Sequence, residues 1–225
     1  VGDLSDFDSE EMNGDWNLIV YHSSGCGSEI TAWSITVDVI TPYNGPTWHV
    51  ATNGSDSNDG SEGSPFATIQ HGIDAASDGD TVLVSSGTYV ENINYSGKNI
   101  VLGSLFLTTT DTSYISSTII DGNQAGSVVT FENGETSSAQ LIGFTIQNGS
   151  GTEYENFGIC GGGILCGTAS PALKNLVIKN NSSRHGGGIS CMQNSDPTII
   201  NTEIKNNSAT GDGGGLQCEF NSDPM

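Results

Sequence analysis

A six-residue phrase occurs three times near the end of this chain, and its even spacing restricts the fold to a stack of similar units. GGGILC at Gly161–Cys166 returns as GGGISC at Gly186–Cys191 and as GGGLQC at Gly213–Cys218, 25 and then 27 residues further on. A second phrase lies between the copies. PALKNLVIKNNS at Pro171–Ser182 matches PTIINTEIKNNS at Pro197–Ser208 with an offset of 26. A period in this range marks a solenoid, whose units bury their apolar faces only by stacking on one another.

The apolar residues within each unit alternate over short runs, the period of a strand with one face in a core. LIGFTIQN at Leu141–Asn148 aligns with Leu173–Asn180 and Ile199–Asn206, so the pattern begins before the clear repeats. An insertion at Gly151–Gly158 lengthens one turn. Coils of about 25 residues with alternating strands predict an all-β fold, a right-handed parallel β-helix. Leucine-rich repeats would need a leucine/asparagine frame that this chain lacks. The recurring Asn180-Asn181 and Asn206-Asn207 pairs suit a turn ladder, since Asn tolerates left-handed backbone and its amide can bond from coil to coil. Further strands are predicted at Trp48–Ala51, Thr81–Val84, Tyr89–Ile93, Asn99–Leu102, Ser117–Ile120 and Val128–Phe131. Ser64-Pro65 reads as an N-cap and first-turn pair, followed by Phe66, Ile69, Ile73 and Ala76 on one helical face. Such a helix would cap the open end of the first coil.

The first 40 residues differ in pattern. Alternating runs at Trp16–Val20 and Ile30–Ile40 flank a Ser/Gly turn, as in the end of a β-sandwich. Thr41–Thr47, with two prolines and a glycine, reads as a linker to a second domain over residues 48–225. The chain opens inside a structured unit and stops as Asp223-Pro224 begins another repeat. It is therefore expected to be an internal piece of a longer exported protein, with targeting information outside it.

Composition narrows the partners. Five Lys+Arg stand against 26 Asp+Glu, a formal charge of −21. Such a field repels nucleic-acid phosphates and anionic membranes, so neither is expected as a partner. No run approaches the roughly 18 apolar residues of a membrane span. Five cysteines (Cys26, Cys160, Cys166, Cys191 and Cys218) show no CxxC spacing. Three fall on the repeat phrase, where stacked strands would hold their Cα atoms about 4.8 Å apart, though parallel side chains rarely reach disulfide torsions. A buried thiol ladder is the expectation there, while Cys160 and Cys166 could pair across the turn.

Two resemblances extend this reading. Leu4, Phe7, Asn13–Val20 and Gly27–Ile35 with Trp33 resemble the last strands of the P domain that follows the catalytic domain of proprotein convertases and bacterial subtilisin-like proteases. Tyr21-His22 stand where such domains usually carry Asp, which departs from the family's calcium pattern. Val50–Ser61, Ser64–Gln70, Gly79–Val84 and Gly87–Asn92 resemble the opening of pectate-lyase-like β-helix proteins, including family 9 polysaccharide lyases. The later repeats are similar to those of large bacterial surface proteins and polymorphic outer-membrane proteins. These resemblances imply a secreted or cell-surface location and a polysaccharide or cell-surface glycan as partner.

Catalytic residues are not assigned. A lyase needs a base beside calcium-binding carboxylates, but Lys179 and Lys205 share one repeat position, and Asp196, Glu203, Asp212 and Glu219 are scattered. Arg184-His185 precedes a glycine turn without a partner pattern. Asp56, Asp59 and Glu62 form the one carboxylate group that could bind calcium, although the spacing fails an EF-hand loop. No other cofactor is expected. The sequence therefore points to a non-catalytic scaffold. The alternatives are a calcium-dependent polysaccharide lyase with its site elsewhere, or an accessory region of a subtilisin-like serine protease.

Overall fold

The computed structural model describes residues 45–225. The P-domain-like segment at 1–40 and the start of the linker lie outside the described residues, as does Cys26. Strands in the described part run parallel in three long sheets, and the chain visits the sheets in rotation. The first sheet is Thr47–Val50, Thr81–Val84, Val101–Ser104, Gln140–Ile142, Ala172–Lys174 and Thr198–Ile200. The second is Gly87–Val90, Thr118–Asp121, Thr145–Gln147, Val177–Lys179 and Glu203–Lys205. Ile93–Asn94, Val129–Phe131, Ile164–Gly167, Ile189–Met192 and Leu216–Cys218 form the third. Each strand pairs with its counterpart one coil on, which is the defining register of a parallel β-helix.

That register turns sequence alternation into core columns. Val82, Leu102, Leu141, Leu173 and Ile199 stack in the first sheet. Tyr89, Ile120, Ile146, Ile178 and Ile204 stack in the second. Each fully buried member contributes roughly 1.5–3 kcal/mol. Cys166, Cys191 and Cys218 stack in register below Phe131 in the third sheet and remain thiols. Cys160 is also a free thiol, so the Cys160–Cys166 pair is not formed. The physical reason is placement on opposite faces: Cys166 joins the main core, whereas Cys160 packs outside it with Tyr154, Leu165 and Met192.

The glycine triplet has two jobs. Gly161, Gly186 and Gly213 have φ of +60°, +64° and +67°, a left-handed conformation that suits glycine. The second and third glycines lie where coils meet backbone to backbone. A Cβ on Gly187 would come within 2.2 Å of the Ser208 carbonyl and 2.6 Å of that of Gly214. The space is filled instead by an unbroken run of bonds, with the amides of Gly186, Gly187, Gly188 and Ile189 donating to Asp212, Gly213, Gly214 and Gly215.

The asparagine pair divides its work similarly. Asn148, Asn180 and Asn206 take φ of 58°, 56° and 54°. Their successors form the ladder. Asn181 accepts from the Gly149 amide at 2.8 Å and donates to the Ile146 carbonyl, while Asn207 accepts from the Asn181 amide at 2.9 Å and donates to Ile178.

A helix at Ile69–Ala75 covers the start of the core with Ile69 and Ile73, and Phe66 and Ala76 are buried beside it. Its N-cap is Thr68 rather than Ser64. Ser64–Phe66 stays extended because Phe66 exchanges hydrogen bonds with His49 and Ala51 at the edge of the first strand. The strand beginning at Thr47 likewise takes up the end of the expected linker. No helix among the described residues is long and apolar enough to cross a membrane.

Candidate functional site

Three places bring polar or aromatic groups together. The first is the loop carrying Asp56, Asp59 and Glu62. Asp56 accepts from the amides of Ala67 and Thr68 at 2.9 and 3.0 Å and from the Thr68 hydroxyl. Glu91 accepts from the next two amides, those of Ile69 and Gln70. Two distant carboxylates thus satisfy the amides that a helix start leaves unpaired. Burial raises the Asp56 carboxyl, but bonds from Thr68 and Ala67, with His71 nearby, outweigh it and leave the group below its ordinary value. At Glu91 burial wins, and the carboxyl is raised despite its bonds from Gln70 and Ile69. Asp59 is tied to the hydroxyl and amide of Ser61, which hold it below the usual range. Glu62 is exposed. Among the described residues no group of three or more His, Cys, Asp or Glu is placed to hold a metal ion. Of the three calcium candidates, Asp56 closes a helix, Asp59 closes a turn, and Glu62 is exposed.

The second place is a cleft of about 490 Å³ on the turns between the third and first sheets. Residues Thr136, Ser137, Thr168, Ser170 and Thr198 line it, with Glu135, Asp196 and Met225; the Thr136 hydroxyl donates to Asn99 and that of Thr168 to the Gly167 carbonyl. Glu135 is buried and accepts from the amides of Gly97 and Asn133, which fixes the loop that bears Thr136 and Ser137. Ser170 accepts from the Asp196 amide at 3.0 Å, so its own proton remains available to donate. The cleft thus offers a mixed set of donors and acceptors on a surface set by stacked turns.

The third place is the outer face of the third sheet, under the insertion. Residues Thr152–Glu153 and Ile159–Cys160 form an antiparallel hairpin, whose Tyr154 packs onto Leu165 and Met192. The Tyr154 hydroxyl donates to Gln193 Oε1 at 3.1 Å, and Gln193 Nε2 donates to Glu155 Oε2 at 2.6 Å. Phe157 stacks on Tyr154 with centroids 6.3 Å apart and meets Phe220 at 4.5 Å. Burial, followed by the charges of Glu155 and Glu132, raises the Tyr154 phenol.

Cys160, His185 and Asp212 occupy one position on successive coils, each just before a glycine triplet. His185 Nδ1 lies 3.7 Å from Asp212 Oδ2. Cys160 is fully buried, and burial pushes its thiol up, the reverse of what a nucleophile needs. Lys179 and Lys205 stack in register on the second sheet, and Lys205 pairs with Glu203 at 2.8 Å. Neither lysine joins a carboxylate cluster.

The cleft and the aromatic group escaped sequence reading for one reason. They draw members from different coils: Ser170 and Asp196 stand 26 positions apart, and Phe157 and Phe220 stand 63 apart. The usable signal was the repeat offset itself, which places Thr168, Gln193 and Phe220 on one column.

Comparison with known proteins gives partial matches. A family model described as a protein of unknown function (DUF1565) matches residues 52–98, and a Chlamydia polymorphic membrane protein repeat model matches residues 201–219. Among curated proteins, the uncharacterized protein YwoF of Bacillus subtilis (strain 168) is 33% identical over 69 residues, 24% of this chain and 15% of that protein. This chain therefore spans a small part of that relative's length. Among solved structures, pectin methylesterase PemA from Erwinia chrysanthemi matches with a TM-score of 0.39 and 15% identity, over 71% of this chain and 56% of that one. The parallel β-helix stands on the strand register described above.

Proposed function

We propose that this chain is a non-catalytic β-helix scaffold that binds polysaccharide, within an exported bacterial protein. The observation that carries the reading is the cleft of about 490 Å³ lined by five hydroxyl-bearing residues and two carboxyl-bearing ones. Sugars present hydroxyls at regular intervals, and a surface with many donors and acceptors on stacked turns can meet several at once. Rigid turns lose little conformational freedom on binding, which favours such contacts. The scaffold part of the reading is supported by the basic side chains. Lys179 and Lys205 are a repeated surface pair, and Lys174 is bonded to Gln140 at 2.9 Å.

The test is saturable retention on a panel of neutral, acidic and amino glycans, followed by titration of those retained. Ser170→Ala and Thr168→Val should each weaken binding by about 3- to 10-fold, the loss of one hydrogen bond. A panel without a single saturable binder rejects the reading. So does release of unsaturated or shortened sugar products from a bound polymer, which would make the protein an enzyme.

A further inference from the structure

We propose that Asn133 is a site of spontaneous modification, at which the side-chain amide is lost to the backbone nitrogen of Gly134 and aspartate and isoaspartate take its place.

An asparagine–glycine pair reacts with itself when the glycine amide loses its proton and the nitrogen reaches the asparagine Cγ. Glycine permits that approach because no Cβ blocks it. A hydrogen bond from the same amide opposes the reaction by holding the proton and by fixing the nitrogen. Attack then waits for a local opening. Among the described residues the pair occurs at Asn53-Gly54, Asn133-Gly134 and Asn148-Gly149. The Gly54 amide donates to the Ala51 carbonyl at 2.8 Å, and the Gly149 amide donates to Asn181 Oδ1 at 2.8 Å. The Asn148 carboxamide is held as well, donating to Asp121 Oδ2 at 2.7 Å. At the remaining pair neither the Gly134 amide nor the Asn133 carboxamide makes a hydrogen bond. Both residues are exposed, and a Cβ on Gly134 would meet nothing within 4 Å, so ring closure and water both have room.

The step needs only water. The Gly134 nitrogen bonds to Asn133 Cγ, the Cγ–Nδ2 bond breaks, and Nδ2 leaves as ammonia with the proton that the glycine amide gives up. Water then adds to one carbonyl of the cyclic imide, whose bond to nitrogen breaks. Opening at Cγ restores an ordinary peptide carrying aspartate. Opening at the main-chain carbonyl routes the chain through Cβ and Cγ as isoaspartate. The product lies where its loop is anchored. Buried Glu135 accepts from the Asn133 amide at 2.9 Å and from the Gly97 amide at 2.8 Å, and its carbonyl accepts from the Ser170 amide. Gly134 itself lines the cleft. Modification therefore adds a carboxylate, and in isoaspartate a main-chain methylene, beside a buried carboxyl group at the rim of the cleft.

The experiment is a time course of the full chain in mildly alkaline buffer, native and in denaturant, with digestion and mass spectrometry of the peptides carrying Asn53, Asn133 and Asn148. In the native chain the Asn133 peptide should exchange NH2 for OH at least about 10-fold faster than the other two, the factor set by one protecting hydrogen bond. It should yield both aspartate and isoaspartate. In denaturant the rates should converge, because the local chemistry of the pairs is the same. Equal rates in the native chain overturn the proposal, as does an Asn133 peptide that stays intact. A native advantage that persists undiminished in denaturant overturns it too, by tracing the difference to sequence. Asn181→Ala removes the acceptor of the Gly149 amide and should raise the Asn148 rate while leaving that of Asn133 unchanged. Should this variant fail to fold, hydrogen exchange in the parent chain decides: the Gly134 amide should exchange fastest, and protection equal to that of Gly54 and Gly149 overturns the proposal.

Discussion

The two ends of the β-helix hold their coils together differently. From the pairs Thr81↔Val101, Val101↔Gln140, Gln140↔Ala172 and Ala172↔Thr198, successive coils take 20, 39, 32 and 26 residues. The early coils are irregular and rely on large side chains. Tyr95 and Phe131 meet at 4.2 Å inside them, and the capping helix closes them with Ile69 and Ile73. The late coils keep their length and rely on backbone, with triplet glycines bonded amide to carbonyl. Irregular coils must fill a variable interior, so they need bulky residues. Equal coils can let identical backbone segments touch. Regularity thus substitutes for side-chain volume.

The largest test of this contrast is Gly187→Ala. Its Cβ meets backbone carbonyls from two segments, and backbone cannot swing aside as a side chain can. Destabilisation should exceed about 4 kcal/mol, the range reserved for severe packing faults. Hydrogen exchange should show the loss concentrated in residues 198–218. Gly63→Ala, with no atom within 4 Å of the added Cβ, should stay within about 0.5 kcal/mol. Similar losses from both substitutions would dissolve the distinction.

At the other end, Ile73→Ala empties a fully buried site between helix and sheet. It should cost about 2–5 kcal/mol in chemical denaturation. Hydrogen exchange should rise in the helix and first strands while residues 186–191 stay protected. Uniform exposure across the molecule would mean that the two ends do not differ in what holds them.

The smallest effect concerns pH. Asp56 has a lowered folded value, so its contribution is present above the unfolded carboxyl value of about 3.9 and fades as pH falls through the lower folded one. Glu91 works in the opposite sense: its raised value gives a contribution present at low pH and lost as pH rises through the folded value. Asp56→Asn should cost less than about 1 kcal/mol near neutrality, since the group is largely exposed, and progressively less as pH falls below the unfolded carboxyl value. A variant whose melting temperature tracks the parent's at every pH would show that Asp56 does not stabilise the helix start.

What could be read directly followed the same division. The late coils were legible in their strands, in the left-handed Asn180 and Asn206, and in the cysteine column, because equal spacing carries register with it. The early part was legible in Ile69, Ile73 and Ala76 but not in where the helix begins. Ser64-Pro65 has cap chemistry, yet the carboxylates that serve the helix, Asp56 and Glu91, lie 11 to 22 positions from the amides they bind. The short helices Phe106–Thr109 and Ser113–Ser117 in the 39-residue coil carried no apolar period to announce them. The insertion was visible as extra length. Its descent onto Gln193 was not, because nothing local encodes a partner 39 positions away.

The asparagine ladder gives the stack a direction. Asn181 and Asn207 each reach back, with both amide groups meeting backbone of the coil before, where Gly149 ends the series. A newly formed coil therefore arrives with a clasp that closes on structure already in place. One that formed ahead of its predecessor would hold a buried amide with nothing to grip. The amide that locks each late coil to its neighbour is thus carried by the later coil and received by the earlier coil's backbone.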